Sequence, residues 1–434
     1  MIDYQQIIDF IRSVYPNRDF IPLHEPVFAG NEKKYVLDCI DSTFVSSVGK
    51  YVDRFEEMVR DFTGANYAIA AVNGTAALHM SLLLAGVQRG DLVITQPLTF
   101  IATCNAISYC GADSVFIDID RKTLGLSADA LEEWLSKNAI LSEVDGVMHC
   151  FHYPQMDSNK GSQIISNNNG DEISTHSISK PKPFSQSSFV PICDFSFVQI
   201  SGLKRISACV PMHTFGHPCE IDRIVEICAK YYIPVVEDSA ESIGSYYRNK
   251  HTGTFGLLGI LSFNGNKTIT TGGGGMILTN DKELAIKAKH LTTQAKKPHP
   301  WNFEHDHIGY NYRLPNINAA LGCAQMESIP AMLKSKRETA AMYNNFFAKI
   351  PDIEFVNEPI NSISNFWLNV ILLKNKTEQE AFLKLTNDNK VMTRPAWMLM
   401  NELEMFKDAI TADIPVAREI ADRLVNIPSS VRTI

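Results

Sequence analysis

The sequence predicts an α/β fold: a large domain whose mostly parallel sheet is covered by helices, followed by a small C-terminal α+β domain. Three observations predict it. From about residue 31 onward, helical stretches alternate with short apolar runs, as in strand–helix–strand units that put helices on both faces of a sheet. After Met276 this alternation gives way to a long helical region, then two short strands and a helix. The chain has 434 residues, enough for one large core and a second, smaller one.

In chain order, residues 4–15 read as a short amphipathic helix and Pro22 to Gly30 as extended backbone. Helices are predicted at 31–42, 50–63, 75–86, 100–110, 127–138 and 219–231. Strands are predicted at 67–72, 91–95, 113–118, 144–149, 206–211, 233–237, 259–263 and 275–279. A helix at 281–292, a His- and Pro-containing loop at 297–307 and helices near 315–350 follow. Strands near 352–356 and 366–373 and a helix at 377–388 complete the pattern. The resulting division is 1–20 as an N-terminal helix, 21–295 as the large domain and 296–434 as the small one.

Residues 155–190 break this pattern. They are rich in Ser, Asn and Lys, and their sparse apolar residues follow neither a helical nor a strand period. Such a composition buries little, so 150–205 is expected to hold a flexible insertion. A bland surface insertion is the favoured reading over a lid or a partner-binding segment.

Bulk composition narrows the classes of function. The chain is 45% hydrophobic and 20% charged, with a net charge of -8 and no long basic run, which argues against nucleic acid or an anionic membrane as partner. Nine cysteines, an odd number with no Cys-x-x-Cys pair, fit reduced, cytoplasmic usage. The N-terminus carries no signal-peptide pattern, and no apolar run reaches the ~18–20 residues that span a bilayer.

Four short stretches carry chemistry. Asn73-Gly74-Thr75 ends a strand and opens a helix, where free N–H groups and a hydroxyl suit a phosphate; taken alone, a plain turn and cap is the favoured reading. Phe100 follows the next strand and offers a ring either for stacking or for the core. Asp238 leaves the apolar strand Val235-Val236-Glu237, as a buried carboxylate or a helix cap. Ser262 and Lys267 precede the run Gly272–Gly275, whose order does not match a nucleotide-triphosphate loop because its lysine comes first. Pyridoxal 5'-phosphate (PLP) needs all of these groups: an amine for its aldehyde, an acid for its ring nitrogen, a stacking face and a phosphate cradle. Their order along the chain is that of fold-type I PLP enzymes.

Longer stretches then carry a resemblance. Ser46-Ser-Val-Gly-Lys-Tyr-Val-Asp-Arg-Phe-Glu, Val72-Asn-Gly-Thr-Ala-Ala-Leu-His, Leu98-Thr-Phe-Ile-Ala-Thr-Cys-Asn, Glu237-Asp-Ser-Ala-Glu-Ser-Ile-Gly and Gly309-Tyr-Asn-Tyr-Arg-Leu-Pro resemble the DegT/DnrJ/EryC1/StrS sugar aminotransferases. With Arg394-Pro-Ala-Trp397 and Asn426-Ile-Pro-Ser-Ser, they are most similar to the LegC-type branch, which aminates nucleotide-linked 4-keto-6-deoxy sugars. The resemblance implies a fold-type I PLP-dependent transferase in which Lys267 bonds the cofactor aldehyde and moves the proton. It implies that Asp238 pairs with the ring nitrogen, Phe100 stacks, Gly74, Thr75 and Ser262 hold the phosphate, and Glu241 lies beside the cofactor. Asn311 is implied to reach the phosphate of the neighbouring subunit's cofactor, making a homodimer with shared active sites. His213 and Arg394 are the implied substrate contacts. Lysine where some relatives have histidine argues for amination rather than dehydration.

The implied reaction is ping-pong transfer from L-glutamate to C4 of a nucleotide-linked keto sugar. A 3-keto sugar aminotransferase and a non-catalytic PLP-binding homologue disrupted by the insertion are the alternatives. PLP-sensing transcription regulators need a DNA-binding domain, for which residues 1–20 are too short. His213-x-x-x-His217 and His305-Asp-His307 have metal-like spacing, but Gly216 and Pro218 argue against a helix at the first and the second sits in a polar loop, so no metal is expected. The resemblance is interrupted at 150–205, part of which also reads as translated non-coding sequence, a question the transcript decides.

Overall fold

The computed structural model describes residues 4–153 and 203–432. The insertion expected within 155–190 therefore lies outside the described residues.

The large sheet begins with strands Tyr67–Ala71, Gly275–Thr279, Leu258–Ser262 and Val236–Asp238. Parallel bridges Cys209↔Val235 and Met212↔Asp238 carry it on to Lys204–Val210, Leu92–Thr95, Asp113–Phe116 and Ile410–Thr411. Neighbouring strands along this order are parallel, except that Gly275–Thr279 runs antiparallel to both of its partners. Its strands are continuous apolar runs because helices cover both faces: Val93, Ile94, Val115, Ile260 and Ile277 are all buried. Helix starts are chemically specified. Asn73 Oδ1 accepts the N–H of Ala76 at 2.7 Å, Ser127 Oγ that of Ala130 at 3.2 Å, and Asp281 Oδ1 that of Leu284 at 2.9 Å.

The arrangement has a direct consequence for function. Tyr67–Ala71, Leu92–Thr95, Val236–Asp238 and Leu258–Ser262 all run the same way, so their carboxyl ends share one edge of the sheet. That edge therefore receives Asn73-Gly74-Thr75, Phe100, Asp238 and Ser262 together. The strand Gly275–Thr279 starts at the same edge, which leaves Lys267 on the connection spanning it.

One predicted strand is corrected. The run 144–149 is not a strand but the tip of a hairpin, Ala139–Val144 paired with Val147–His152. Asp145 and Gly146 form its turn with φ of 52° and 79°, both in the left-handed region. The second hairpin strand pairs with Lys204–Val210 through His152↔Lys204, so the chain leaves and re-enters the described structure at neighbouring antiparallel strands.

A 32-residue helix, Asn316–Phe347, takes the place of the several helices expected near 315–350 and carries Pro330 in its interior. It packs against helices Glu32–Asp41 and Lys50–Thr63 on one side of the molecule. At its far end, Tyr343 and Phe347 meet Ile7, Ile8 and Ile11 of the first helix, Tyr4–Val14, in one apolar cluster. The C-terminal sheet is antiparallel, in the order Glu354–Phe355, Asn369–Leu372, Leu424–Ile427 and Arg394–Pro395. Ile410–Thr411, from the same part of the chain, joins the edge of the large sheet instead.

Candidate active site

Glycine sets the floor of the site. A Cβ on Gly74 would sit 2.8 Å from Ser262 Cβ, and one on Gly275 would sit 2.4 Å from Asn73 O. Only glycine lets the helix start at Gly74 approach the end of the strand Leu258–Ser262 so closely. The free N–H groups of that helix start, the Thr75 hydroxyl and the Ser262 hydroxyl then face one cavity of about 310 Å³. Asp238, Glu241, Lys267 and Phe100 line the same cavity. Six side chains or turns singled out from sequence are thus brought together from segments far apart in the chain.

Asp238 is 4% exposed. Its Oδ2 accepts from Thr103 Oγ1 at 2.7 Å and its Oδ1 from the N–H of Ala240 at 3.2 Å, so the carboxylate is fixed at the cavity wall. Phe100 is 45% exposed despite its place at a helix start; its edge meets Trp397 and its ring remains available to a flat ligand. These groups fit PLP: a helix start and hydroxyls for a phosphate, a held carboxylate for a ring nitrogen, an uncovered aromatic face and a lysine amine.

Lys267 Nζ lies 3.0 Å from Glu241 Oε1. Glu241 Oε2 accepts the N–H of Phe215 at 2.9 Å. Phe215 has φ +57°, a strained conformation for a bulky residue, and it is in this conformation that its N–H meets the carboxylate. Burial pushes the Glu241 carboxyl up to about 7, against the pull of the Lys267 ammonium and the Phe215 N–H. Below that pH Glu241 is protonated; above it, it is an anion paired with Lys267. The rate of the half-reaction with the amino donor is therefore expected to rise with pH through an inflection near 7, as Glu241 gains the capacity to take a proton from the lysine. Glu241→Gln should lose the inflection; a single-turnover pH profile in which the Gln variant keeps it would remove this assignment.

The other sequence candidates lie elsewhere. His213 is fully buried, and its Nε2 bonds Glu237 Oε2 at 3.1 Å while its Nδ1 accepts the N–H of Cys219 at 3.1 Å. Glu237 points away from Asp238 because successive strand residues face opposite sides. Burial alone would raise its carboxyl, but His213 and the N–H groups of Gly256 and Gly253 hold it below the usual range. The structure thus places His213 in a satisfied buried pair and not among the groups lining the cavity. His217 does not join it: a turn at Thr214–Gly216 separates them, and its ring packs edge-on against Phe366.

Arg394 is exposed at the edge of the small sheet and bonds Asn387 Oδ1 at 3.0 Å and its neighbour Thr393 O at 2.9 Å. The residue of its motif that lines the cavity is Trp397. Asn311 is exposed and also lies outside this cavity, on the segment that bridges to Thr293. In the loop before it, Asp306 Oδ1 accepts from His290 Nε2 at 2.6 Å and His307 Nδ1 at 2.9 Å, while His305 turns to Gln294 O at 2.7 Å. His305 thus turns away from the other two, and it is His290, Asp306 and His307 that meet in this polar loop.

Sequence reasoning missed Trp367, Thr103 and Asn365. Trp367 covers Lys267, with Nζ 4.0 Å from the ring centroid, yet it sits in an apolar strand-like run that reads as core. Thr103 lies one helical turn after Phe100, within a stretch already singled out, and that spacing was a usable signal.

The chain is similar to known proteins along most of its length. The chain is 33% identical over 410 residues to the GDP-perosamine synthase of Escherichia coli O157:H7, covering 94% of this chain and 93% of that protein. It is 32% identical over 390 residues to EpsN of Bacillus subtilis, named as a pyridoxal phosphate-dependent aminotransferase, covering 90% and 84%. Among solved structures, PseC of Helicobacter pylori superposes with a TM-score of 0.75 at 22% identity, covering 94% of this chain and 93% of that one, which shows a common fold. Residues 27–149 and 202–433 match the DegT/DnrJ/EryC1/StrS aminotransferase family. The chain belongs to that family, and PLP is its cofactor.

Proposed function

We propose that the protein is a sugar-nucleotide aminotransferase that moves an amino group from L-glutamate to C4 of a nucleotide-linked 4-keto-6-deoxy sugar, as in the LegC-type branch. The observation that carries this reading is the amine of Lys267 in the cavity that also holds Asp238, Ser262 and the Gly74 helix start. The similarity to proteins named GDP-perosamine synthase supports a nucleotide-sugar acceptor. When bound, PLP supplies the aldehyde that carries the amino group and the ring that accepts electrons. The chain does the rest. Gly74, Thr75 and Ser262 hold the phosphate, Asp238 keeps the ring nitrogen protonated, Phe100 fixes the ring plane, and Lys267 carries the proton, with Glu241 beside it. Incubation with glutamate and a panel of UDP-, GDP- and dTDP-linked 4-keto and 3-keto sugars, read by mass spectrometry, tests the reading. Amine product from 4-keto members supports it; product from 3-keto members alone overturns the position of attack.

We also propose a homodimer in which Asn311 completes the neighbouring site. Support comes from exposed apolar side chains: Phe44, Val45, Val48, Trp301, Phe303 and Ile308 are large and exposed. One of them, Val48, lines a cavity of about 450 Å³ together with Lys289, Lys296, Lys297, Arg313 and Asp53. Co-expression of Lys267→Ala and Asn311→Asp chains is expected to restore about a quarter to a half of wild-type activity, because one site of the mixed dimer is then intact. No restoration in a verified mixed dimer would remove the shared-site proposal. The eight described cysteines are unpaired, in keeping with a reducing, cytoplasmic setting. Among the described residues no helix is long and apolar enough to cross a membrane.

A further inference from the structure

Trp367 is held more tightly than packing alone requires. It is 4% exposed, and its indole Nε1–H donates to Asn266 O at 2.7 Å, the carbonyl immediately before Lys267. Its own N–H donates to Asn365 Oδ1 at 2.8 Å. Its carbonyl accepts from Lys336 Nζ at 3.2 Å, and that amine also bonds Ser429 O at 2.7 Å. Lys336 is 1% exposed, and burial pulls its ammonium down to about 7.

Asn365 extends the network to the other side of the lysine. Its Nδ2 donates to Glu241 O at 2.8 Å and to Ile243 O at 2.9 Å, and it lies 3.3 Å from Thr268 Oγ1. One buried amide thus ties together the segments that carry Trp367, Glu241 and the residue after Lys267. Within that frame the Lys267 amine has two partners, the indole face at 4.0 Å and the Glu241 carboxylate at 3.0 Å. An indole face attracts an ammonium through its quadrupole and has no comparable attraction for a neutral amine, the more so where water is scarce.

We propose that Trp367 is a positioning residue for Lys267: its indole face and Glu241 together form the seat of the lysine ammonium whenever that amine is not bonded to the cofactor. The inference rests on the reading of Lys267 as the cofactor-bonding amine. An amine displaced from a carbon–nitrogen bond leaves as a base and takes up a proton. A flexible four-carbon side chain that then wandered would be out of place for the next proton transfer. The seat keeps it within reach while the donor and acceptor exchange.

The test compares Trp367→Leu, which removes the ring, with Trp367→Phe, which keeps a ring face. In cofactor-free protein, acetylation of Lys267 by acetic anhydride at pH 7 is followed by peptide mass spectrometry, with the exposed Lys122 as reference. The Leu variant should label about 5–30-fold faster than wild type, and the Phe variant within about threefold of wild type. In loaded enzyme, the single-turnover rate with glutamate should fall by a similar factor for Leu while the apparent glutamate affinity stays within about twofold. Equal labelling of Leu and Phe variants, or a Leu variant that labels like wild type, overturns the proposal. The labelling result does not depend on glutamate being the donor, so failure of that reading shows separately as a wild-type enzyme without a glutamate half-reaction.

Discussion

Lys267→Ala is expected to lower turnover by at least about 10³-fold, since we propose this residue both as the amine that bonds the cofactor and as the carrier of the proton. The same substitution should cost little stability at pH 7. Removing one member of a buried ion pair ordinarily strands the other as an unpaired charge, a loss of several kcal/mol. Here the stranded group is Glu241, whose carboxyl already titrates at about 7 because burial pushes it up and only Lys267 and the Phe215 N–H oppose that push. Without the ammonium it moves further up and is neutral at pH 7. The variant should therefore unfold within a few degrees of wild type and still take up the cofactor noncovalently through the Gly74, Thr75 and Ser262 cradle. Added methylamine should recover part of the rate. Turnover within tenfold of wild type would remove Lys267 from the chemistry, and calorimetry checks the stability claim separately.

Asp238→Asn is expected to slow the half-reaction with the amino donor by on the order of 10²–10³-fold, the rate equivalent of losing a buried charged partner. The amide has the size of the carboxylate and can keep the contacts that fix it, from Thr103 Oγ1 at 2.7 Å and the Ala240 N–H at 3.2 Å, with one of its own atoms turned to suit. What it loses is charge, and only an anion holds a proton on the ring nitrogen. Asp238→Glu keeps the charge but lengthens the side chain inside a wall where Asp238 is 4% exposed, so it should recover only part of the rate. The measurement is stopped-flow absorbance of the bound cofactor. A rate within threefold of wild type for the Asn variant, with cofactor fully bound, is incompatible with Asp238 facing the ring.

Most of the large sheet was legible because its strands are short apolar runs bounded by turn residues, and because helices such as Lys50–Thr63 and Ile221–Lys230 bury one face, through Tyr51, Phe55 and Val59 in the first and Ile224, Ile227 and Cys228 in the second. The strand expected at 144–149 ran across the hairpin turn because Val144, Val147 and Met148 are apolar. The correcting signal was present in Asp145-Gly146, a dipeptide suited to a two-residue hairpin turn. The floor of the site was legible because each group sits at a strand end, and strand ends of one parallel sheet converge. Trp367 and Asn365 were not, since their partners are Asn266, Glu241 and Lys267, more than ninety residues away, and no periodicity encodes such a meeting. His213 and Arg394 show the converse. A chemically capable side chain close in sequence to the site can be spent elsewhere, one on Glu237 and the other on Asn387.

The docking of the first helix onto Tyr343 and Phe347 has a consequence for how the protein is made. Ile7, Ile8 and Ile11 leave the ribosome more than three hundred residues ahead of Tyr343 and Phe347, the rings they pack against. At about 5–20 residues per second, that helix waits tens of seconds with its apolar face bare. The edge strand Ile410–Thr411 of the large sheet arrives later still. Nascent chains should therefore engage holding chaperones through their first fifteen residues, and messages truncated before the codon for Ile410 should yield aggregate rather than a smaller folded enzyme.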